Sequence, residues 1–168
     1  MKEKLYLGVD PGESGAFCLV DYRGDIVEIF DMPFIHAKGV DSIAVLEWLH
    51  AKMKNYELSC GFELCQSTPK MSSKGAFSFG RNIQAVETIL LCLKIPVMFH
   101  RPQEWQKHFS LITKTKLDNC VMASEMQPQY REKFIYTYRG RQTIKDGRAD
   151  AYLIAEYTRR KCNGIAQK

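Results

Sequence analysis

The sequence predicts an α/β chain built on a five-stranded sheet of mixed direction, with helices on both faces. Two observations carry this. Three short apolar segments open the chain, separated by tight turns, which is the pattern of an antiparallel meander. After them, helical and strand periodicities alternate, which is the pattern of parallel strands joined by crossover helices.

The first strand is expected at 5–10, an apolar run (Leu5-Tyr6-Leu7-Gly8-Val9-Asp10) that stops at Pro11-Gly12. A second follows at 16–21. Arg23-Gly24-Asp25 then makes a tight turn into a third strand at 26–30. Segment 42–53 places Ile43, Val45, Leu46, Leu49 and Met53 at helical spacing, with Asp41 or Ser42 as N-cap. Segment 58–64 is a central strand that carries Glu63 and breaks into a polar loop at 66–75. A strongly apolar helix at 83–94 leads to a fifth strand at 96–99. Segments 104–109 and 116–126 read as helices. Segment 127–145 is polar, basic and aromatic, and reads as a loop of weak order. The last helix is expected at 146–161, with Ala149, Leu153, Ile154 and Tyr157 along one side. No internal repeat, low-complexity tract or linker is visible, and 168 residues fit a single domain.

Composition narrows the function classes. Hydrophobic residues make up 45% and charged residues 26%, as in ordinary globular proteins. The net charge of +5 permits contact with a phosphate backbone without demanding it. Cys18, Cys60, Cys65, Cys92, Cys120 and Cys162 form no CxxC pair and show no zinc-type spacing with His. They read as small buried hydrophobes in a reducing compartment. The segment from Lys4 onward reads as a strand rather than a leader, and no apolar run approaches the ~20 residues of a membrane helix. A cytoplasmic protein, in a bacterial or phage-infected cell, is the expectation.

The chemistry lies in misplaced carboxylates. Asp10 closes an otherwise apolar strand, and Glu63 does the same on the second central strand. A carboxylate in either place is costly unless a cation or strong donors meet it. Asp146 and Asp150 stand four apart at the start of a helix and so share one face. Their mutual repulsion is partly offset by the helix dipole. Four such groups suit a divalent cation: Mg2+ takes oxygen ligands without needing His or Cys, and Mn2+ can substitute. Two ions about 4 Å apart would bind both the attacking water and the leaving oxygen of a phosphodiester.

The combination resembles a known family. Gly8-Val9-Asp10-Pro11-Gly12 with Ser14-Gly15-Ala16, then Phe62-Glu63-Leu64, then Asp146-Gly147-Arg148-Ala149-Asp150-Ala151 are similar, in order, to the three motifs of RuvC-like Holliday junction resolvases. The intervening Phe79-Gly80, Ile95-Pro96-Val97, Arg101-Pro102 and Trp105-Gln106-Lys107 fit the same pattern. The likeness spans about 5–158 and looks closest to the phage-borne and plastid branches. It implies an RNase H-like fold, a homodimer, and Mg2+- or Mn2+-dependent cutting of two opposed strands at a four-way DNA junction. It also implies that Asp10, Glu63, Asp146 and Asp150 are catalytic metal ligands for two ions. One departure stands out: bacterial members commonly space the last two acids three apart, whereas here residue 147 is Gly.

For DNA contact, Lys70, Lys74, Arg81, Lys107, Lys114, Lys116, Arg139, Arg141, Lys145 and Arg148 flank the acidic motifs and suit a backbone-tracking surface. Lys116 also resembles a family lysine near the active site. Phe77 and Phe79, amid Gly and Ser, could wedge into a branch point. The helix at 83–94 is apolar on more than one side and is expected to form part of a dimer interface. A two-fold dimer would match the two-fold symmetry of a junction.

Rival readings differ in class. An actin-like or sugar-kinase-like ATP-binding protein needs a second phosphate loop and a second domain, for which 168 residues leave no room. Another RNase H-like nuclease, acting on RNA–DNA hybrids or on flap and branched DNA, would use the same acids. A non-catalytic junction binder would have no need of all four.

Overall fold

A computed structural model describes residues 2–36, 39–66 and 71–165. Five strands form one sheet in the order β3-β2-β1-β6-β7: β1 (Glu3–Asp10), β2 (Ala16–Val20), β3 (Ile26–Asp31), β6 (Tyr56–Glu63) and β7 (Val97–His100). The β1–β2 and β2–β3 pairs are antiparallel, and the β1–β6 and β6–β7 pairs are parallel. The expected five-stranded mixed sheet is therefore present. Two short strands, β4 (Phe34–Ile35) and β5 (Gly39–Val40), pair outside it.

Alternation along β1 sorts the two faces. Leu5, Leu7 and Val9 enter one apolar cluster with Val45 and Leu49 of α1 (Ser42–Asn55) and Val86, Ile89 and Leu90 of α2 (Ser73–Cys92). Tyr6 enters a second cluster with α3 (Pro102–His108), α4 (Lys116–Met126) and α6 (Asp146–Cys162), through Trp105, Cys120, Ala123 and the run Tyr152-Leu153-Ile154-Ala155. Asp10 shares the parity of Tyr6, so it belongs to the α6 face. On β6, Leu58, Cys60 and Phe62 join the α1/α2 cluster. Glu63 is therefore on the α6 face as well.

Asp41 is the cap of α1, its side chain accepting from the amides of Ile43 and Ala44. Helix α2 starts ten residues before the expected Ile83. Ser72 caps it by accepting from the Gly75 amide at 3.1 Å, and Gly75 and Gly80 hide the helix from periodicity because they interrupt its apolar rows. Val86, Ile89 and Leu90 are spent on the core, whereas Leu91 is exposed.

The segment read as a weak loop is built. It contains a 3-10 turn at Pro128–Tyr130, α5 (Arg131–Phe134) and an antiparallel hairpin, β8 (Ile135–Tyr138) with β9 (Arg141–Ile144). Long-range anchors order it: Gln127 donates to the Gly24 carbonyl at 2.9 Å, Tyr130 donates to the Ile26 carbonyl at 2.9 Å, and Phe134 is fully buried. Among the described residues, no helix is long and apolar enough to cross a membrane.

Candidate metal centre

Adjacent parallel strands end side by side, with Val9 opposite Phe62. The next residue on each strand is acidic, so Asp10 and Glu63 meet at one edge of the sheet. Ligand atoms of Asp10, Glu63 and Cys65 lie within 4.8 Å of one another. Helix α6 crosses β1 close above this edge. Gly8 permits the approach, since a Cβ there would collide with the backbone of Ala151 and Ala155. Gly147 does the same at the start of the helix, where a Cβ would strike the Ser14 carbonyl and Gly15. The Gly at 147 is thus a packing requirement, and it brings Asp146 and Asp150 toward the loop that follows Asp10.

Each acid has a specific neighbour. Asp10 accepts from the Gly12 amide at 3.1 Å. Glu63, nearly buried, accepts from the Trp105 indole at 2.9 Å on one oxygen and from the Cys65 thiol at 3.2 Å on the other. Asp150 accepts from the Asn119 side-chain amide at 2.7 Å. Asp146 is ion-paired with the Lys116 ammonium, which is itself well exposed.

Burial and mutual repulsion leave Asp10 and Asp150 poorly compensated. Desolvation, then the nearby Glu63, pushes the Asp10 carboxyl up to about 7. Desolvation, then Asp10, pushes Asp150 up to about 8, against the lowering pull of Asn119. Asp146 acts on both as a further like charge. Such a set of hard oxygen donors, each disfavouring its neighbours' charge, fits a divalent cation. The chemistry available is cation-assisted activation of water at an electrophile such as a phosphodiester.

Trp105, Cys65 and Asn119 join the site in addition to the residues that the sequence predicts. A signal existed for Asn119: it stands three residues after Lys116 on the same face of α4, so both reach toward α6. Cys65 shows that not every cysteine is an inert core residue. Cys18, Cys60 and Cys120 are buried, Cys65 is half-buried at the site, and Cys92 and Cys162 are exposed.

The expected DNA-contact residues lie on several elements. Lys74 and Arg81 are exposed on α2, Lys107 on α3, Lys114 before α4, and Arg141 and Lys145 on and after β9. Arg148 forks onto Asp31 with two 2.6 Å bonds and also donates to the Lys133 carbonyl, bracing α6 against β3. Phe77 is 73% exposed. Phe79 instead lines a pocket of about 320 Å³ with Pro11, Glu13, Met71 and Asn82. Lys70 lies outside the described residues.

No family model matches the chain, and no curated protein matches it in sequence. Solved structures do match it. Thermus thermophilus RuvC in complex with a Holliday junction substrate superimposes with a TM-score of 0.66 at 16% identity, covering 98% of each chain. Another structure of Thermus thermophilus RuvC gives 0.61 at 17% identity, over 97% of this chain and 98% of that one. The fold is therefore that of RuvC over nearly the whole length of each chain.

Proposed function

We propose that the chain is a divalent-metal-dependent endonuclease that resolves four-way DNA junctions, working as a homodimer that nicks two opposed strands symmetrically. The observation that carries this reading is the convergence of Asp10 and Glu63 with the α6 acids at one edge of a RuvC-type sheet.

In this reading Asp10, Glu63 and Asp150 hold the cation directly, with Asp146 completing the set. Mg2+, or Mn2+ in its place, would supply an activated water and stabilise the leaving oxygen, with two ions per site. The chain's own groups do the rest. Trp105 and Cys65 fix the Glu63 carboxylate in one orientation. Asn119 does the same for Asp150. Lys116, beside Asp146 and open to solvent, meets the negative charge of the approaching phosphate. Lys74, Arg81, Lys107, Lys114, Arg141 and Lys145 follow the backbone on either side. Phe77 wedges between bases at the branch point, where stacking is already interrupted.

The test is incubation with an end-labelled synthetic four-way junction, with and without Mg2+. Paired symmetric nicks that require Mg2+ and vanish in Asp10→Asn support the reading. Faster cutting of a flap or an RNA–DNA hybrid than of the junction replaces it with another RNase H-like nuclease. Glu63→Gln is expected to retain junction binding and lose cleavage.

A further inference from the structure

The β8–β9 hairpin takes no part in holding the cation, yet it leads directly into it. Ile144 ends β9, and Asp146 opens α6 two residues later. The Lys145 amide donates to the Phe134 carbonyl at 2.8 Å, which ties the base of the hairpin to α5. Tyr136 and Thr143 of the hairpin line one cavity of about 380 Å³ together with Lys145, Asp146, Glu13 and Ser14. A continuous concave path therefore runs from the metal-site loop onto the ribbon.

The ribbon carries its cations at its tip and at its base. From Lys133 to Lys145 there is no Asp or Glu, while Lys133, Arg139, Arg141 and Lys145 are all cationic. Its tip is a two-residue turn, Arg139-Gly140, between paired Tyr138 and Arg141. Both turn residues have positive φ, 49° and 72°. That is the type I′ geometry, in which the first position favours Asn or Gly. Arg139 therefore sits there against local backbone preference, and strained positions of this kind collect at functional sites. The Arg139 guanidinium lies 5.3 Å from the centre of the Tyr138 ring, and that ring is 59% exposed. Arg141 is exposed and makes no ion pair among the described residues. Two cations and an aromatic face are thus held at the end of a short two-stranded ribbon.

We propose that the β8–β9 ribbon is a DNA-gripping arm, distinct from the metal site, which lies against the duplex flanking the cut with Arg139 and Arg141 on backbone phosphates. The nuclease reading is needed only to locate the cut. A two-stranded ribbon fits the width of a DNA groove. At ~3.4 Å per residue from Asp146 back to the turn and ~3.4 Å per base pair along DNA, the tip can reach phosphates out to about six or seven base pairs from the scissile one.

The experiment measures affinity for an uncut four-way junction and for linear duplex in EDTA across a salt series. It uses wild type, Arg139→Asn and Arg139→Ala/Arg141→Ala, with thermal melting of each. Two lost phosphate contacts should flatten the slope of log affinity against log salt by about 1.8, and the single substitution should flatten it by about 0.9. Arg139→Asn should melt no lower than wild type, because Asn suits the turn. Weaker binding with equal or higher stability supports the arm. Unchanged slopes overturn it, as does lower stability with unchanged binding. Wild-type protein that binds the junction but never cuts it with Mg2+ defeats the nuclease reading alone, and the slopes still decide the arm.

Discussion

The indole nitrogen of Trp105 donates to one carboxylate oxygen of Glu63 at 2.9 Å, across 42 residues of sequence. Trp105 is almost wholly buried on α3, and Glu63 closes β6. The contact fixes which lone pairs of Glu63 remain for a cation. Partners of this kind commonly carry 10–100-fold effects on metal affinity or turnover. Trp105→Phe keeps most of the packing and removes the donor. It should lower Mg2+ affinity or cleavage rate by about 10–100-fold with an unchanged circular dichroism spectrum. Wild-type titration curves for the variant would show that the contact is incidental.

The raised carboxyls at Asp10 and Asp150 make a prediction about stability. Their folded-state values, about 7 and about 8, lie above those of an unfolded chain. Between pH 4 and 8 the folded protein thus binds more protons than the unfolded one, so this contribution falls as pH rises. In EDTA, Asp150→Asn should remove much of that loss while keeping the Asn119 contact. The gain at pH 8 should be on the order of 3 kcal/mol, or roughly 6–12 °C in melting temperature, and should shrink toward pH 4. Divalent cation should raise the wild-type melting temperature and have far less effect on the variant. Equal melting of the two proteins at pH 8 would contradict the crowding described here.

Gly147 tests the approach of α6. A Cβ at this position strikes the backbone of Ser14 and Gly15, which cannot swing aside as a flexible side chain would. Gly147→Ala should push the helix start away from the loop after Asp10. Cation binding should weaken sharply, with a stability loss of about 1–3 kcal/mol. Gly80→Ala, inside α2 and free of any positive-φ requirement, meets no atom within 4 Å. It should leave cation binding intact, which separates crowding at α6 from a general effect of replacing glycine.

Much of this site was legible in the sequence because strand ends announce themselves. Asp10 and Glu63 interrupt apolar runs, and the period of two sends both to one face. Asp146 and Asp150 share a helix face by spacing alone. Trp105 was not legible as a site residue, since its hydrogen bond to Glu63 spans 42 residues; the helical spacing of Asn119 after Lys116 was a signal left unread, and Cys65, two residues past Glu63, looked like one more apolar cysteine. The first ten residues of α2 were obscured by Gly75, Gly80 and serines that favour turns. The β8–β9 hairpin was obscured because four-residue strands carry too little periodicity, and its order comes from Tyr130 and Phe134 reaching the core.

The Cys65 thiol donates to Glu63, and its sulfur lies within 4.8 Å of the Asp10 and Glu63 ligand oxygens, so a thiophilic ion that displaced the thiol proton would gain a soft donor. Thiolate and carboxylate together suit Zn2+, whereas Mg2+ has little use for sulfur. Calorimetric titration of Cys65→Ser should show Zn2+ binding weakened at least tenfold more than Mg2+ binding. Equal losses for the two ions would leave the thiol only its hydrogen-bond role at Glu63.

Locating the cation tests the central claim most directly. Crystals grown with Mn2+ should show anomalous scattering at the joint edge of β1 and β6, within coordination distance of Asp10, Glu63 and Asp150. The peak should be absent in Asp10→Asn. Anomalous density elsewhere on the molecule, with those three carboxylates making no contact to it, would contradict the account.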